Sequence, residues 1–400
     1  MPTLIFHSKM GYAIPIFKEN MERKHYIKRI LQAFKTHKIV ALLGPRQCGK
    51  TTLAHDYIKH ELHPIKIKNY FDLEKNSDLA RLANPQLALE SLEGLIVIDE
   101  IQRIPELFKT IRVLVDQVKT QRYLILGSAS RDLIRQSSET LAGRIQYVET
   151  TPFSYEETHQ MDRLWLRGGF PLSYLSKTDE DSYIWRREYT QTFLERDIPN
   201  LGIRVLPMEL RRFWMMIAHY HGNVFNASEI GKSLGLNHKT IRNYTDILVG
   251  TFMLREIPSW FENISKRQVK SPKIYFRDSG ILHYLLNIPN DESLYHHPKL
   301  GSSWEGFALE SIVRHHEASD GEYYFWATQG HAELDLLIIK NGKRLGFEFK
   351  YTDMPKITKS ITIAMEDLKL DKLFIIFPGK ESFSLASNIE AMGLENYLIF

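Results

Sequence analysis

The sequence predicts an α/β protein: an N-terminal parallel sheet flanked by helices, a helical region, a small helix-turn-helix domain and a C-terminal α+β domain. The first observation is a series of short apolar runs between residues 22 and 155 that alternate with helical stretches, an order typical of a parallel sheet. The second is a change to alternating strands beyond about residue 300. The runs expected to form the parallel sheet are 39–43, 70–73, 95–98 and 123–126.

The composition is that of a folded chain and excludes several classes of protein. Of its 400 residues 43% are hydrophobic, and 52 Lys and Arg stand against 48 Asp and Glu, unlike a disordered chain. Cys48 is the single cysteine, which excludes an intrachain disulfide framework and a multi-cysteine zinc site. No apolar run reaches the roughly 18 residues of a membrane-spanning helix, and residues 1–20 lack the uninterrupted apolar core of a signal peptide. We therefore expect a soluble, cytoplasmic protein without a membrane partner.

Proline-bearing stretches and changes of pattern divide the chain into four predicted domains. The sheet core, the helical region, the helix-turn-helix domain and the α+β domain are expected at residues 22–155, 156–220, 221–290 and 291–400. Residues 201–300 carry 13 Lys and Arg against 8 Asp and Glu, and residues 301–400 carry 10 against 15. A basic middle suits a polyanionic partner, whereas an acidic end suits solvation or metal-binding carboxylates.

The clearest motif directly follows the first predicted strand. Residues 44–51 fit G-x-x-x-x-G-K-[ST] without a mismatch and precede a helix start. In such a phosphate-binding loop, or P-loop, backbone N–H groups surround phosphates and the helix N-terminus adds positive potential, so the motif predicts ATP binding. We expect Lys50 to reach the β- and γ-phosphates and the Thr51 hydroxyl to bind Mg²⁺. The predicted ATP-binding residues are Gly44, Pro45, Arg46, Gln47, Cys48, Gly49, Lys50, Thr51 and Thr52.

Two acidic residues end the third predicted strand. A carboxylate at the tip of a buried strand beside such a loop commonly provides the second Mg²⁺ anchor, and Asp99 is expected to take this role. Glu100 is then placed to act as general base on the attacking water. Ser128, which ends the fourth strand, is a candidate for sensing the γ-phosphate. The alternative is that Asp99 and Glu100 only cap the helix that follows.

Arg144 is a further candidate for catalysis. An arginine that reaches the transferred phosphate stabilises its developing charge, and such a residue comes from the same chain or from a neighbouring subunit. We predict this role for Arg144, which would imply a homo-oligomer if the residue acts on a neighbour. A structural salt bridge at this position is the alternative.

These motifs resemble the prokaryotic AAA-type ATPases. The resemblance rests on residues 44–51, 97–102, 126–128 and 141–144, and on the later segments 166–171 and 193–197. It implies a P-loop nucleoside-triphosphatase sheet with a helical lid, ATP and Mg²⁺ as cofactors, and ATP hydrolysis. Such proteins resemble this chain almost from end to end, and their C-terminal domain, of unknown function, is suspected to have a restriction-endonuclease-like core.

A helix-turn-helix is expected in the basic middle of the chain. Helices at 228–234 and 237–248 are separated by Gly235, and the second helix of such a unit can enter a major groove. Segments 252–254 and 273–276 are the predicted strands of a wing. DNA or RNA is therefore a predicted partner, although such a winged helix can equally serve as a spacer between protein domains. The residues expected to contact nucleic acid are His238, Lys239, Arg242 and Asn243.

A second group of charged residues lies on a predicted hairpin around Asn341-Gly342, the strongest short hairpin signal. If these two residues form the turn, Lys340 pairs with Lys343, and Asp335 lies opposite Glu348. Opposed carboxylates repel each other, and a divalent metal between them would remove that cost.

The Asp335 and Glu348-x-Lys350 pattern resembles the restriction-endonuclease-like nucleases. Glu305, on the inward stripe of the preceding helix, is the expected third metal ligand, and Lys350 would stabilise charge on a scissile phosphate. Residues 330–332 depart from the Pro-Asp pair expected there, and the domain is acidic. A plain Glu333–Lys350 ion pair in an inactive nuclease relic is therefore the alternative.

Together these features predict a Mg²⁺-dependent enzyme that binds and hydrolyses ATP. Its nucleotide state would be coupled to a nucleic-acid-facing winged helix and a nuclease-like domain. The alternative from another class is a nucleotide-switched regulatory or scaffold protein without nuclease activity.

Overall fold

Residues 21–60, 69–128, 137 and 139–399 are described by the structure, which is a computed structural model. Residues 1–20, on which the expectation of no signal peptide rests, lie outside this part. Among the described residues no helix is both long and apolar enough to span a membrane.

The predicted N-terminal parallel sheet is confirmed, and it gains a fifth strand. All neighbouring strands run parallel, in the order β2-β3-β4-β1-β5. The fifth strand, which the sequence analysis missed, is a half-buried edge strand. The strands are β1 Ile39–Gly44, β2 Tyr70–Asp72, β3 Gly94–Asp99, β4 Gln121–Ser128 and β5 Ile145–Glu149.

Helices cover both faces of this sheet because alternate strand residues point to opposite sides. On β1, Val40 and Leu42 pack in one apolar cluster with the helices at 24–36 and 50–60. Ile39, Ala41 and Leu43 pack in a second cluster with the helix at 107–117. Every β1 residue is consequently buried. The helices are α1 Lys24–Thr36, α2 Lys50–His60, α3 Asn76–Arg81, α4 Pro85–Glu90 and α5 Leu107–Gln117.

The middle of the chain is mainly helical and shares one apolar core with part of the C-terminal domain. Strands β6 Leu254–Ile257 and β7 Lys273–Phe276 form an antiparallel pair, and Phe193–Asp197 is a π-helical turn. The helices are α6 Tyr155–Thr158, α7 Met161–Arg167, α8 Pro171–Tyr174, α9 Asp179–Thr192, α10 Ile198–Asn200, α11 Pro207–Tyr220, α12 Ala227–Leu234, α13 His238–Gly250, α14 Ser279–Leu285 and α15 Asp291–Tyr295.

A separate six-stranded sheet forms the C-terminal part, in the order β12-β13-β11-β10-β9-β8. The predicted hairpin register is confirmed, since Lys340 pairs with Lys343 across the Asn341-Gly342 turn. Both turn residues have positive φ, which Asn and Gly tolerate. The elements are α16 Leu300–His315, β8 Tyr323–Ala327, β9 Glu333–Lys340, β10 Lys343–Phe349, α17 Lys359–Leu368, β11 Lys372–Phe377, β12 Ser382–Ala386, β13 Ile389–Gly393 and α18 Leu394–Ile399.

The connection between β6 and β7, predicted as the loop of a wing, lies along the edge of this second sheet. Ser259 and Gln268 form bridges to Phe325 and Thr328, at and just beyond β8. The Trp326 indole N–H also donates to the Gln268 side chain at 2.9 Å. These contacts fix the β6–β7 pair against the C-terminal domain.

Candidate functional site

The P-loop lies where the sequence analysis placed it, between the carboxyl end of β1 and the start of α2. Gly44 has no room for a side chain, because a Cβ there would lie 2.0 Å from the Thr150 carbonyl oxygen. Gln47 and Gly49 both have positive φ, a conformation that turns successive N–H groups into one concave surface. The backbone is thus shaped to hold an anion.

Lys50 points into this loop. Its buried ammonium donates to the carbonyl oxygens of Gly44 at 3.0 Å and of Pro45 at 2.7 Å. An ammonium has three donors, so one N–H remains for a phosphate oxygen. The loop therefore holds a positive charge beside its ring of amides.

Thr51 and Asp99 meet at the mouth of the loop. The Thr51 hydroxyl donates to Asp99 Oδ2 at 2.8 Å, and the Tyr70 hydroxyl donates to the same oxygen at 3.2 Å. Burial raises the pKa of Asp99, although both hydrogen bonds and the charge of Lys50 act in the opposite direction. Hard oxygen ligands in this pairing suit Mg²⁺, so both residues fit the predicted metal role.

Glu100 and Ser128 are joined by a residue that the sequence analysis did not select. Gln102 donates from Nε2 to a Glu100 carboxylate oxygen and to Ser128 Oγ, the latter at 2.9 Å. Glu100 itself has φ 59° and ψ 44°, a left-handed conformation that non-glycine residues adopt rarely and often at functional sites. The sequence signals for Gln102 are its place in segment 97–102, which carries the family resemblance, and its position two residues after Glu100.

A cavity of about 290 Å³ opens beside these groups. It is lined by the loop residues Gly44, Pro45 and Arg46, by Glu100 and Ser128, and by residues of the helical region that include Asp197. The helical region therefore covers the edge of the sheet at which the P-loop lies.

The remaining loop residues are held by contacts to the sheet and to α1. Cys48 is buried, and its thiol points to the Thr150 carbonyl oxygen at 3.5 Å. Arg23, also buried, donates to the Cys48 carbonyl oxygen at 3.1 Å and pairs with Glu157. Thr52 is exposed on the first turn of α2. These contacts fix the loop and leave Cys48 a structural residue.

Arg144 is not part of this site in its own chain. It directly precedes β5, and its carbonyl oxygen accepts from Ile39 at the opposite end of β1. At about 3.3 Å per residue, the length of β1 puts roughly 16 Å between this position and the P-loop. Its guanidinium makes two 2.8 Å hydrogen bonds to Asp116. A same-chain catalytic role is therefore wrong, and a role in a neighbouring copy stays a prediction.

The predicted nucleic-acid residues lie on and around the start of α13. His238, Lys239 and Asn243 are exposed there. Arg242 differs, because it donates to Glu256 of β6 at 2.8 Å and lies over the Phe225 ring. Three of the four side chains are thus exposed, and the fourth, Arg242, is 42% exposed but held by its ion pair with Glu256.

The C-terminal carboxylates are brought together, but around a lysine. Lys273 of β7 is buried, and its ammonium lies 3.4 Å from Asp335 and 3.6 Å from Glu305, and also contacts Glu333. Among the described residues no three His, Cys, Asp or Glu side chains are arranged to hold a metal ion. The predicted set of Glu305, Asp335 and Glu348 is therefore not arranged as a metal centre here, and the Lys273 ammonium offsets part of the negative charge of the cluster.

Lys350 pairs with Glu348 at 2.7 Å instead of with Glu333. Burial, and then the charge of Asp335, raise the pKa of Glu348 to about 8 despite this ion pair. Burial and Asp335 likewise raise the pKa of Glu305 to about 7. The sequence analysis missed Lys273 because its partners are at least 32 residues away along the chain.

Comparisons with known proteins match three consecutive parts of the chain. The AAA domain family matches residues 36–159. Two domains of unknown function, DUF8612 and DUF4143, match residues 158–292 and 300–397. Together with the parallel sheet and the loop, the first match defines the N-terminal part as a P-loop AAA-type ATPase domain.

The whole chain has close relatives. The uncharacterized proteins Rv2008c of Mycobacterium tuberculosis and Mb2031c of Mycobacterium bovis are each 45% identical over 381 residues, which covers 94% of this chain and 85% of theirs. The chain belongs to the family of these two proteins. Among solved structures, the Walker-type ATPase PABY2304 of Pyrococcus abyssi aligns with a TM-score of 0.46 and 14% identity, over 66% of this chain and 96% of that one.

Proposed function

We propose that this protein binds and hydrolyses ATP in a Mg²⁺-dependent reaction at the P-loop. One observation carries the proposal: the Thr51 hydroxyl and the Asp99 carboxylate lie 2.8 Å apart at the mouth of a loop that contains the Lys50 ammonium. These are the three groups that such a reaction needs around a metal-bound triphosphate.

Each residue then has a definite role. Lys50 and the loop amides bind the phosphates, helped by the positive end of the α2 dipole. Thr51 and Asp99 would hold Mg²⁺, which neutralises charge on the phosphate oxygens when it is bound. Glu100 orients and deprotonates the attacking water. Gln102 fixes Glu100 relative to Ser128, and Ser128 is the proposed contact to the γ-phosphate.

Release of phosphate from ATP tests this proposal. We expect the purified protein to hydrolyse ATP with Mg²⁺ and to stop when EDTA is added. Asp99→Ala should lose the activity as well, because it removes one metal anchor. Hydrolysis that continues in EDTA, or in Asp99→Ala at the wild-type rate, would contradict the assignment.

For the remainder of the chain, we propose that α12, α13 and the β6–β7 pair are a winged helix that faces nucleic acid. The exposed His238, Lys239 and Asn243 support this role. A nuclease-like C-terminal fold is supported by the order of α16, β8, β9, β10, α17 and β11, in which β10 and β11 are parallel. The nucleotide state of the ATPase domain would control both parts.

A second candidate function is favoured by Lys273. Because its ammonium lies among Glu305, Glu333 and Asp335, part of their negative charge is offset without a metal. The protein is then a nucleotide-switched regulator or scaffold that does not cleave nucleic acid. Incubation of single-stranded and double-stranded DNA and RNA with the protein, ATP and Mg²⁺ or Mn²⁺ separates the two candidates. Cleavage that disappears in Glu348→Ala would exclude the second.

A further inference from the structure

Arg46 connects the P-loop to two other parts of the molecule. Its guanidinium donates from Nη1 to Asp197 Oδ1 at 2.7 Å and from Nη2 to Glu74 Oε1 at 2.8 Å. A guanidinium has five N–H donors in a fixed plane, so these two bonds fix its position and leave other donors free. Few loop residues are held so firmly by groups outside the loop.

Asp197 is an unusual partner, because it is only 3% exposed and belongs to the π-helical turn of the helical region. Its Oδ1 accepts from Arg46, while its Oδ2 is buried without a hydrogen-bond partner in the part of the chain that the structure describes. A buried carboxylate is costly unless it is paired. π-Helical turns within α-helices occur frequently at functional sites. Packing alone would thus favour an apolar side chain over the Asp197 carboxylate at this buried position.

Both residues line the 290 Å³ cavity that also contains Glu100 and Ser128. These two are the groups expected nearest to the γ-phosphate and to the attacking water. Arg46 therefore faces the same cavity as Glu100 and Ser128, whereas Arg144 is at the far end of the sheet.

We propose that Arg46 contacts the γ-phosphate of a bound nucleoside triphosphate and that Asp197 is the positioning residue that holds its guanidinium there. The helical region thereby becomes part of the nucleotide site and distinguishes a triphosphate from a diphosphate. This inference rests on the proposed ATP-binding function and adds to it the residue that contacts the γ-phosphate.

The two nucleotides should depend on Arg46 to different degrees. A triphosphate presents γ-oxygens that a charge-assisted hydrogen bond from a guanidinium can reach. A diphosphate has no γ-oxygens, and its phosphates are bound by Lys50 and the loop amides. Loss of Arg46 should therefore remove the preference for triphosphate without removing the site.

Isothermal titration with Mg²⁺ and either ADP or a non-hydrolysable ATP analogue tests this. In Arg46→Ala we expect the affinity for the analogue to fall by about tenfold or more, while the affinity for ADP changes by less than about threefold. Arg187→Ala is the matched control, because the Arg187 side chain is 55% exposed on α9 and does not line the cavity, so it should change neither affinity by more than about twofold. Equal losses for both nucleotides, or no loss for either, would overturn the proposal.

Asp197→Asn tests the positioning role and guards against simple misfolding. It keeps the shape of the side chain but removes the charge that holds Arg46, so kcat for ATP should fall several-fold with little change in KM. In Arg46→Ala combined with Asp197→Asn, no buried charge is left unpaired, and the selective loss of analogue affinity should persist. A double variant with wild-type analogue affinity would overturn the proposal. Wild-type protein that binds neither nucleotide would instead overturn the proposed function, and this inference with it.

Discussion

The P-loop and the C-terminal carboxylate cluster each place a buried lysine beside acidic groups, but they do so in opposite ways. Lys50 donates to carbonyl oxygens of its own loop and leaves Asp99 bonded to hydroxyl groups. Lys273 comes from another part of the chain and lies directly among Glu305 and Asp335. The first arrangement keeps a carboxylate available to a metal, whereas the second offsets part of the negative charge of its carboxylates with a lysine of the protein.

This difference shows why a carboxylate pattern alone does not establish a metal site. Whether such a cluster can bind a metal depends on whether the protein places a cationic side chain among the carboxylates. At Asp99 the neighbours are neutral donors, and at Asp335 the neighbour is an ammonium. Each of the following predictions tests one side of this contrast.

The largest effect, on the free energy of unfolding, is expected when Lys273, the buried cation of the carboxylate cluster, is replaced. Lys273→Met leaves the carboxylates around it buried without a counter-charge, which costs about 3–5 kcal/mol of unfolding free energy. Urea unfolding followed by tryptophan fluorescence measures this. Lys343→Met is the matched control: Lys343 is exposed at the turn of the C-terminal hairpin, so the cost should stay below about 1 kcal/mol. A Lys273→Met protein as stable as wild type would show that the ammonium does not hold the cluster together.

At the P-loop, a large effect is expected on the rate of ATP hydrolysis, with the free energy of unfolding unchanged. Glu100→Gln keeps the shape and the hydrogen bond from Gln102 but removes the general base, so kcat for ATP hydrolysis should fall by about 100-fold. ATP affinity should change little. Glu106→Gln, at an exposed position before α5, is the control and should retain full activity. Unchanged turnover in Glu100→Gln would remove this residue from the mechanism.

The carboxylate cluster should also make stability depend on pH. In the unfolded chain Glu348 has its ordinary pKa near 4.5, whereas burial and Asp335 raise its pKa in the folded protein to about 8. The folded state thus binds the proton more tightly, and this contribution, present in full below about pH 4.5, is lost as the pH rises through 8.

Between pH 6 and pH 8 we expect Glu348 to account for about 1–2 kcal/mol of lost unfolding free energy. Urea unfolding at both values measures the change. Glu348→Gln, a neutral mimic, should lose less stability over the same range, and the loss that remains should come from Glu305, whose pKa is raised as well. Glu381→Gln, at an exposed position, should behave as wild type. An equal loss in wild type and Glu348→Gln would mean that other groups cause the pH dependence.

The smallest effect concerns the proposed nucleic-acid surface. Lys239→Ala should remove one phosphate contact, so the plot of log affinity against log salt should become shallower by about one unit. Fluorescence anisotropy with labelled DNA or RNA at several salt concentrations measures this. Lys343→Ala changes an exposed lysine on the C-terminal hairpin and should leave the slope unchanged. Equal changes in both variants would mean that binding is not local to α13.

The features that the sequence predicted correctly are those determined by local order. The P-loop follows from eight consecutive residues, and Asp99 lies near Thr51 because the carboxyl ends of parallel strands meet at one edge of the sheet. The hairpin register follows from its two-residue turn. By contrast, β5 was missed because its half-buried residues show no continuous apolar run.

The features that escaped prediction depend on contacts between distant segments. The sequence predicts a catalytic role for Arg144 but not the position of β5 beside β1. That position puts Arg144 at the end of the sheet opposite the P-loop. Asp197 lies 151 residues from Arg46 along the chain, and Lys273 lies 62 residues from Asp335. The spacing of residues in the sequence does not predict such pairs. They form only when the helical region packs against the P-loop and when β7 packs against the C-terminal domain.

The most direct test of the central claim is the affinity for Mg²⁺ and ATP of wild type and Lys50→Ala, measured by isothermal titration in protein shown to be folded. If the triphosphate is bound by the P-loop, wild type binds it and Lys50→Ala loses about 100-fold in affinity or more, because a charge in direct contact with two phosphates is removed. A Lys50→Ala variant with wild-type affinity would place the nucleotide elsewhere and contradict the account.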